Sequence, residues 1–232
     1  MRPVGILGGM GPEATILLMQ KVLAAIPAAD DADHVPLIVH QNPQVPSRIA
    51  ALIEGHGEDP GPTLAGMAQD LREAGAAALA MPCNTAHHYA PAVQGATDLP
   101  FLNMIDLTAE ALAASGARRI GMLASPATRM ASVFDASFAA HNLTPVWTSD
   151  EPAMLALIQR VKAGRGPEET GEELRLQAQS LLDAGAEHLL IACTELSLLT
   201  DHLPRGAAWH DSLDCLTTAI TRFARQKITQ DD

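Results

Sequence analysis

Aromatic side chains are scarce: two Trp, one Tyr and four Phe in 232 residues. That leaves no stacking platform for nucleic-acid bases. Basic residues are also few, fifteen against twenty-seven acidic, for a net charge of −12 with histidines neutral. Phosphate backbones and anionic membranes recruit Lys and Arg, so neither is an expected partner. A small anion stays possible, because one or two well-placed cations suffice for it. Three cysteines make no disulfide framework, and an odd number of them favours reduced thiols. No apolar run reaches 18 residues, and the N-terminus enters a strand-like VGILGG without a charged leader, so the expectation is a cytoplasmic protein.

What is present is core material, 47% apolar and 18% charged, in a length that suits one large domain or two lobes. The chain also repeats itself. LREAGAAALAMPCNTAH (71–87) returns 110 residues later as LLDAGAEHLLIACTELS (181–197). Leu71, Ala74, Gly75, Ala76, Leu79 and Cys83 fall on Leu181, Ala184, Gly185, Ala186, Leu189 and Cys193, and upstream Leu64 and Ala68 fall on Leu174 and Ala178. Each copy reads as an amphipathic helix stopped at Ala-Gly, then a short apolar strand, then a cysteine beside a small polar residue. Self-similarity of this kind signals duplicated architecture.

In order, the chain predicts a strand at 3–8, a Gly9-Met10-Gly11-Pro12 turn and a helix to about Ile26. GGMG is a tight turn or, less simply, a phosphate cradle; it lacks the spacing of a dinucleotide fingerprint and a following Lys-Ser/Thr. VPLIVH is a strand running into a proline-stiffened loop with Asn42, Gln44 and Arg48, and a helix follows around 48–54. After Cys83 come a helix from NTAHHYAPAV, a strand from PFLNMI and a helix from Asp106 to Ser115. The second half restarts with a strand at 118–125 and helices around 128–140 and 151–163. Beyond the second repeat lie a helix near 195–202, a strand in AAWHDS and a last helix near 213–226.

Strands alternating with helices mean parallel βαβ units. The expected fold is α/β: two pseudo-symmetric lobes, each a mainly parallel four-stranded sheet flanked by helices, with the active site in the cleft between them. The expected lobes are 1–105 and 106–211, with a hinge near 98–118 and the C-terminal helix 212–232 packing back on the first.

Ligands of open α/β sheets sit outside the carboxyl ends of the strands, where both Cys83 and Cys193 fall, each at the start of the next helix. A helix N-terminus lowers a thiol's pKa. Either cysteine alone could equally be a small buried hydrophobe, the reading given to Cys215. Three chemistries suit the pair. A metal site could recruit His87, but the matched position of the second copy is Ser197, so no symmetric site forms. A Cys–His nucleophile leaves the second thiol unused. Proton transfer at a carbon stereocentre needs a group on each face, and mirrored lobes supply both.

The segments GILGGMGPEAT, NPQVPSR, HGEDP, MPCNTAH, VKAG and ACTE resemble the aspartate/glutamate racemase superfamily, most closely its PLP-independent aspartate racemases. The resemblance runs through nearly the whole chain. It implies racemisation of L- and D-aspartate by a two-base mechanism, without cofactor or metal, with Cys83 and Cys193 as the thiol/thiolate pair, and commonly a homodimer. It also implies that Arg48 and Lys162 bind the side-chain carboxylate, and that Asn84, Thr85, Thr128 and Thr194 bind the α-carboxylate and nearby atoms. LASPAT (123–128) departs from the family's usual LATTGT, and Ala192 replaces a frequent Gly, which opens the choice of substrate. The alternatives are a glutamate or broad-specificity racemase, a decarboxylase or isomerase of small diacids, and a silent binding module. Glu195 tunes the thiol or caps a helix; Asp211 touches the cleft or caps the last helix.

Overall fold

The computed structural model describes residues 1–226, and residues 227–232 of the expected C-terminal helix span lie outside the described residues. Two parallel four-stranded sheets form the frame. The first, in the order β2-β1-β3-β4, uses β1 (Val4–Gly8), β2 (Leu37–Gln41), β3 (Ala78–Ala80) and β4 (Phe101–Leu102). The second, in the order β6-β5-β7-β8, uses β5 (Arg119–Ala124), β6 (Thr144–Trp147), β7 (His188–Ala192) and β8 (Trp209–Asp211). The sheets share one strand order, so the two lobes are one βα arrangement built twice.

The sequence repeat has a packing cause. In the first lobe α1 (Pro12–Ala24) follows β1, and α2 (Gly61–Glu73) leads into β3. A Cβ on Gly5 of β1 would lie 2.9 Å from Ala76 Cβ, 3.0 Å from Leu79 and 3.2 Å from Leu71 Cβ. On Gly121 of β5 it would lie 3.0 Å from Ala186 Cβ, 2.9 Å from Leu189 and 3.1 Å from Leu181 Cβ. The repeated Leu, Ala and Leu therefore close on a glycine of the central strand in both lobes. Gly75 and Gly185 stop the preceding helices with φ of 92° and 89°, and the N–H of the next residue reaches back to Leu71 O and Leu181 O, both at 3.0 Å.

Four expected elements are corrected. The helix over 128–140 is two, α5 (Pro126–Met130) and α6 (Asp135–Ala140), broken where Ser132 turns left-handed at φ 51°. The strand in PFLNMI is only two residues long, because Asn103 accepts from the N–H groups of Ile105 and Asp106 and so starts α4 (Met104–Ala114). The helix after Cys83 begins as a 3₁₀ turn, Thr85–Tyr89, before α3 (Ala90–Ala96), and Leu196–His202 is likewise 3₁₀.

The second lobe also carries α7 (Glu151–Lys162) and α8 (Pro167–Asp183), packed on one face of its sheet through Leu157, Leu174 and Leu189. The remaining two helices change sides. α4 follows the last strand of the first sheet yet sends Ile105, Ala109 and Leu112 against Ile120, Met122 and Leu190 of the second. α9 (Ser212–Arg225) follows the last strand of the second sheet and sends Leu213, Leu216 and Ile220 against Val4, Ile6 and Leu18 of the first. Each lobe thus completes the other's core, and α4 packs on α9. This exchange holds the strand ends of both sheets in fixed opposition.

Candidate active site

The carboxyl ends of the two sheets face one cavity of about 70 Å³. Its wall includes Cys83 and Cys193, Asn84 and Thr194 beside them, and Thr85, Arg48 and Lys162. Seven of the eight residues singled out in the sequence therefore share one wall. The eighth, Thr128, stands behind it, its hydroxyl 2.9 Å from that of Thr85. Met10, Ser47, Ile49, Ser125, Ile158, Ala192 and Glu195 complete the lining. A larger groove of about 640 Å³ between α4 and α9 is lined by none of these residues.

β1 delivers Met10 through the glycine turn. Gly9 has φ 94°, and a Cβ there would lie 2.4 Å from the backbone of Asn42, so the turn exists for close passage of β1 and the loop after β2. Its N–H donates to Thr15 Oγ1 at 2.9 Å, which leaves it unavailable to cradle a phosphate. The proline loop then buries Val45 in the first core as a peg, and Arg48 Nη1 donates to Val45 O (3.3 Å) and Pro46 O (3.0 Å). The helical turn Ala50–Glu54 that follows packs on α5 of the other lobe.

Cys83 sits in a tight turn, its N–H donating to Met81 O at 2.9 Å. His87 lies beneath it. Nε2 accepts the Met104 N–H at 3.1 Å, so Nδ1 carries the proton and donates to Cys83 O at 2.8 Å. Burial, the largest influence, pushes the imidazole pKa down to about 4. Both nitrogens are used, and His87 is a neutral brace between the cysteine turn and α4. Among the described residues no group of three or more His, Cys, Asp and Glu could hold a metal ion. Asn84 Nδ2 donates to Ser212 Oγ at 2.9 Å, so Asn84 and Thr85 each tie the first lobe to elements of the second half.

Cys193 differs from its twin. Its Sγ donates to Glu195 Oε2 at 3.0 Å, and Glu195 Oε1 lies 3.2 Å from Lys162 Nζ, at the end of α7. Glu195 makes no capping bond to its own 3₁₀ turn, so of its two readings only contact with the thiol is realised. Burial pushes the Cys193 thiol well above its ordinary pKa, the Glu195 carboxylate adds to this, and Lys162 opposes it. The expected helix-dipole lowering is overturned: the helix that follows is one short 3₁₀ segment, too small to offset desolvation and a carboxylate. Burial pulls the Lys162 ammonium down, but Glu195 and the sulfurs of Cys193 and Cys83 together hold it above its ordinary value.

Asp211 does cap the last helix, accepting the Leu213 N–H at 2.8 Å; burial lifts its carboxyl to about 6. Cys215 lines the α4–α9 groove, away from the other thiols, and burial raises it to about 11. All three cysteines are free, and among the described residues no helix is long and apolar enough to cross a membrane.

This geometry has counterparts. The chain is similar to an aspartate racemase from Picrophilus torridus, with a TM-score of 0.84 and 28% identity over 99% of this chain and 97% of that one. It is 26% identical over 230 residues, 96% of this chain and 99% of the other, to the broad-specificity amino-acid racemase RacX of Bacillus subtilis. A glutamate racemase from Francisella tularensis shares the fold at a TM-score of 0.67, with 16% identity over 96% of this chain and 80% of that one. Residues 7–220 match the Asp/Glu/hydantoin racemase model, and the chain belongs to that family.

Proposed function

We propose that the protein is an amino-acid racemase that interconverts L- and D-aspartate by a two-base thiol mechanism without a cofactor, acting as a cytoplasmic homodimer. One observation carries the reading: Cys83 and Cys193, from matched strand ends of two lobes, stand on the wall of a single small cavity. A stereocentre between them meets a sulfur on each face. One thiolate removes the Cα proton and the other thiol returns a proton from the opposite side.

A Cα–H is far less acidic than a thiol, so base catalysis needs help. Positioned acid–base groups contribute about 10²–10⁴-fold. The remainder comes from donors aimed at the α-carboxylate as it takes up charge, the role given to Asn84, Thr85 and Thr194, with Thr128 holding Thr85 in place. Arg48, pre-set by its bonds to the proline loop, and Lys162 take the distal carboxylate and spend that binding energy on orientation.

The likeness to the Picrophilus enzyme favours aspartate, and the likeness to RacX supports a second reading with wider choice. Incubation of L-aspartate in deuterated buffer tests the first: D-aspartate appears with deuterium at Cα, and a panel with glutamate and alanine sets the breadth. Change of the carbon skeleton instead would replace racemisation by lyase chemistry.

A further inference from the structure

The fold makes the two thiols equivalent, yet their surroundings are not. Cys83 and Cys193 are equally buried, 9% and 8% exposed. Stepping 110 residues back from Glu195 lands on Thr85, so where one thiol has a carboxylate the other has a hydroxyl turned to Thr128. Among the described residues no carboxylate accepts a bond from the Cys83 sulfur, whereas Cys193 donates to Glu195 at 3.0 Å.

We infer that Glu195 is a positioning residue that keeps the resting proton on Cys193, so that the two thiols begin the cycle in fixed and different roles. The inference rests on the two-base reading. The charged or titratable groups facing Cys193 are Glu195, Lys162 and Cys83, with Arg48 on the same wall. A thiolate at Cys193 would stand against the Glu195 carboxylate in a water-poor site, where like charges repel strongly. Lys162 holds the other carboxylate oxygen at 3.2 Å and keeps Glu195 turned to the sulfur. Cys83, as thiolate, takes the Cα proton, and the C–H electron pair moves onto Cα and its carboxylate. That pair then takes the proton of Cys193 on the opposite face as the S–H bond breaks. Cys83 ends as thiol and Cys193 as thiolate, and the starting form is restored when the proton returns to Cys193.

This asymmetry has a kinetic signature. The equilibrium constant between mirror images is one, so kcat/KM is equal in both directions. The enantiomer that meets the resting form has the lower KM and a kcat lower by the same factor. Native protein is expected to show a KM ratio of about ten or more between enantiomers, the scale of one charge-assisted hydrogen bond. In Glu195→Gln the KM ratio, and with it the kcat ratio, collapses toward one, whereas mere loosening of the site raises both KM values and leaves their ratio in place. Alkylation by iodoacetamide at neutral pH, mapped by peptide mass spectrometry, is the second readout. Cys83 reacts before Cys193 in the native protein, and the gap narrows in Glu195→Gln. Equal or reversed reactivity in the native protein overturns the inference, as do ratios left unchanged in the variant. If the native protein racemises no amino acid, the functional reading falls, and the alkylation order still decides this one.

Discussion

The hydroxyl of Thr85, on the wall that carries both thiols, lies 2.9 Å from that of Thr128, which stands behind it in the second lobe. Thr128 is 1% exposed, so removing its hydroxyl leaves Thr85 without a partner at the edge of the cavity. Thr128→Val is expected to cost about 1–2 kcal/mol of stability and to lower kcat more than it raises KM. A double-mutant cycle with Thr85→Val, read by urea denaturation, should return a coupling of about 0.5–1.5 kcal/mol. Additive single effects would show that the bond does not join the lobes.

Single replacement of either cysteine separates two-base chemistry from its rivals. Cys83→Ala and Cys193→Ala should each reduce interconversion of aspartate by at least about 10²–10⁴-fold, the usual contribution of one acid–base group. Cys193→Ala keeps a base on one face and should still exchange Cα hydrogen for deuterium in one enantiomer, with retention. Full racemisation by either variant, followed by chiral chromatography, would remove the scheme. Cys215→Ala, in the distant groove, should leave rates unchanged.

His87 and Asp211 give acid stability two opposing slopes. His87 titrates near 6.5 when unfolded and about 4 when folded, so between these values the unfolded chain binds more protons. Stability from this group therefore falls by about 3 kcal/mol as pH drops from 6.5 to 4. Asp211 moves the other way, from 3.8 unfolded to about 6 folded, so its burial costs about 3 kcal/mol above pH 6 and nothing below 3.8. These two contributions nearly cancel across this window, and His188 and His210, both held below their ordinary values by burial, leave the native protein losing stability as pH falls. Relative to native, His87→Gln should gain stability as pH falls from 6 to 4, and Asp211→Asn should lose it over the same range. Asp211→Asn should also be more stable at pH 7, because Asn still caps α9. Urea midpoints from pH 4 to 7 read all three.

Much of this molecule was legible because its signals are local. The Ala-Gly helix stops, the alternation of strands and helices, and the 110-residue echo each rest on residues close in sequence, and together they led to the doubled sheet. β6 escaped notice because Pro145 argues against a strand, yet it lies on a sheet edge, paired with Ile120, where proline is tolerated. The break at Ser132 and the choice of Glu195 between cap and thiol depend on backbone angles that no pattern of residue types encodes.

The repeat itself can be tested through the two glycines that it encloses. Gly5→Ala and Gly121→Ala each push a methyl to within 2.9–3.2 Å of a leucine and an alanine whose backbones are held by sheet and helix. Neither neighbour has room to turn away, so each variant should lose about 1–3 kcal/mol, as overpacked cores do. The matched geometry predicts similar losses in both lobes. Gly66, within α2, has nothing within 4 Å of its would-be Cβ. Gly66→Ala should gain about 0.5–1 kcal/mol, because alanine favours the helix and loses less backbone freedom on folding. Thermal melts of the three variants give the order, and a tolerated alanine at Gly121 would mean that the close approach of Leu181 and Ala186 is not what the repeated sequence preserves.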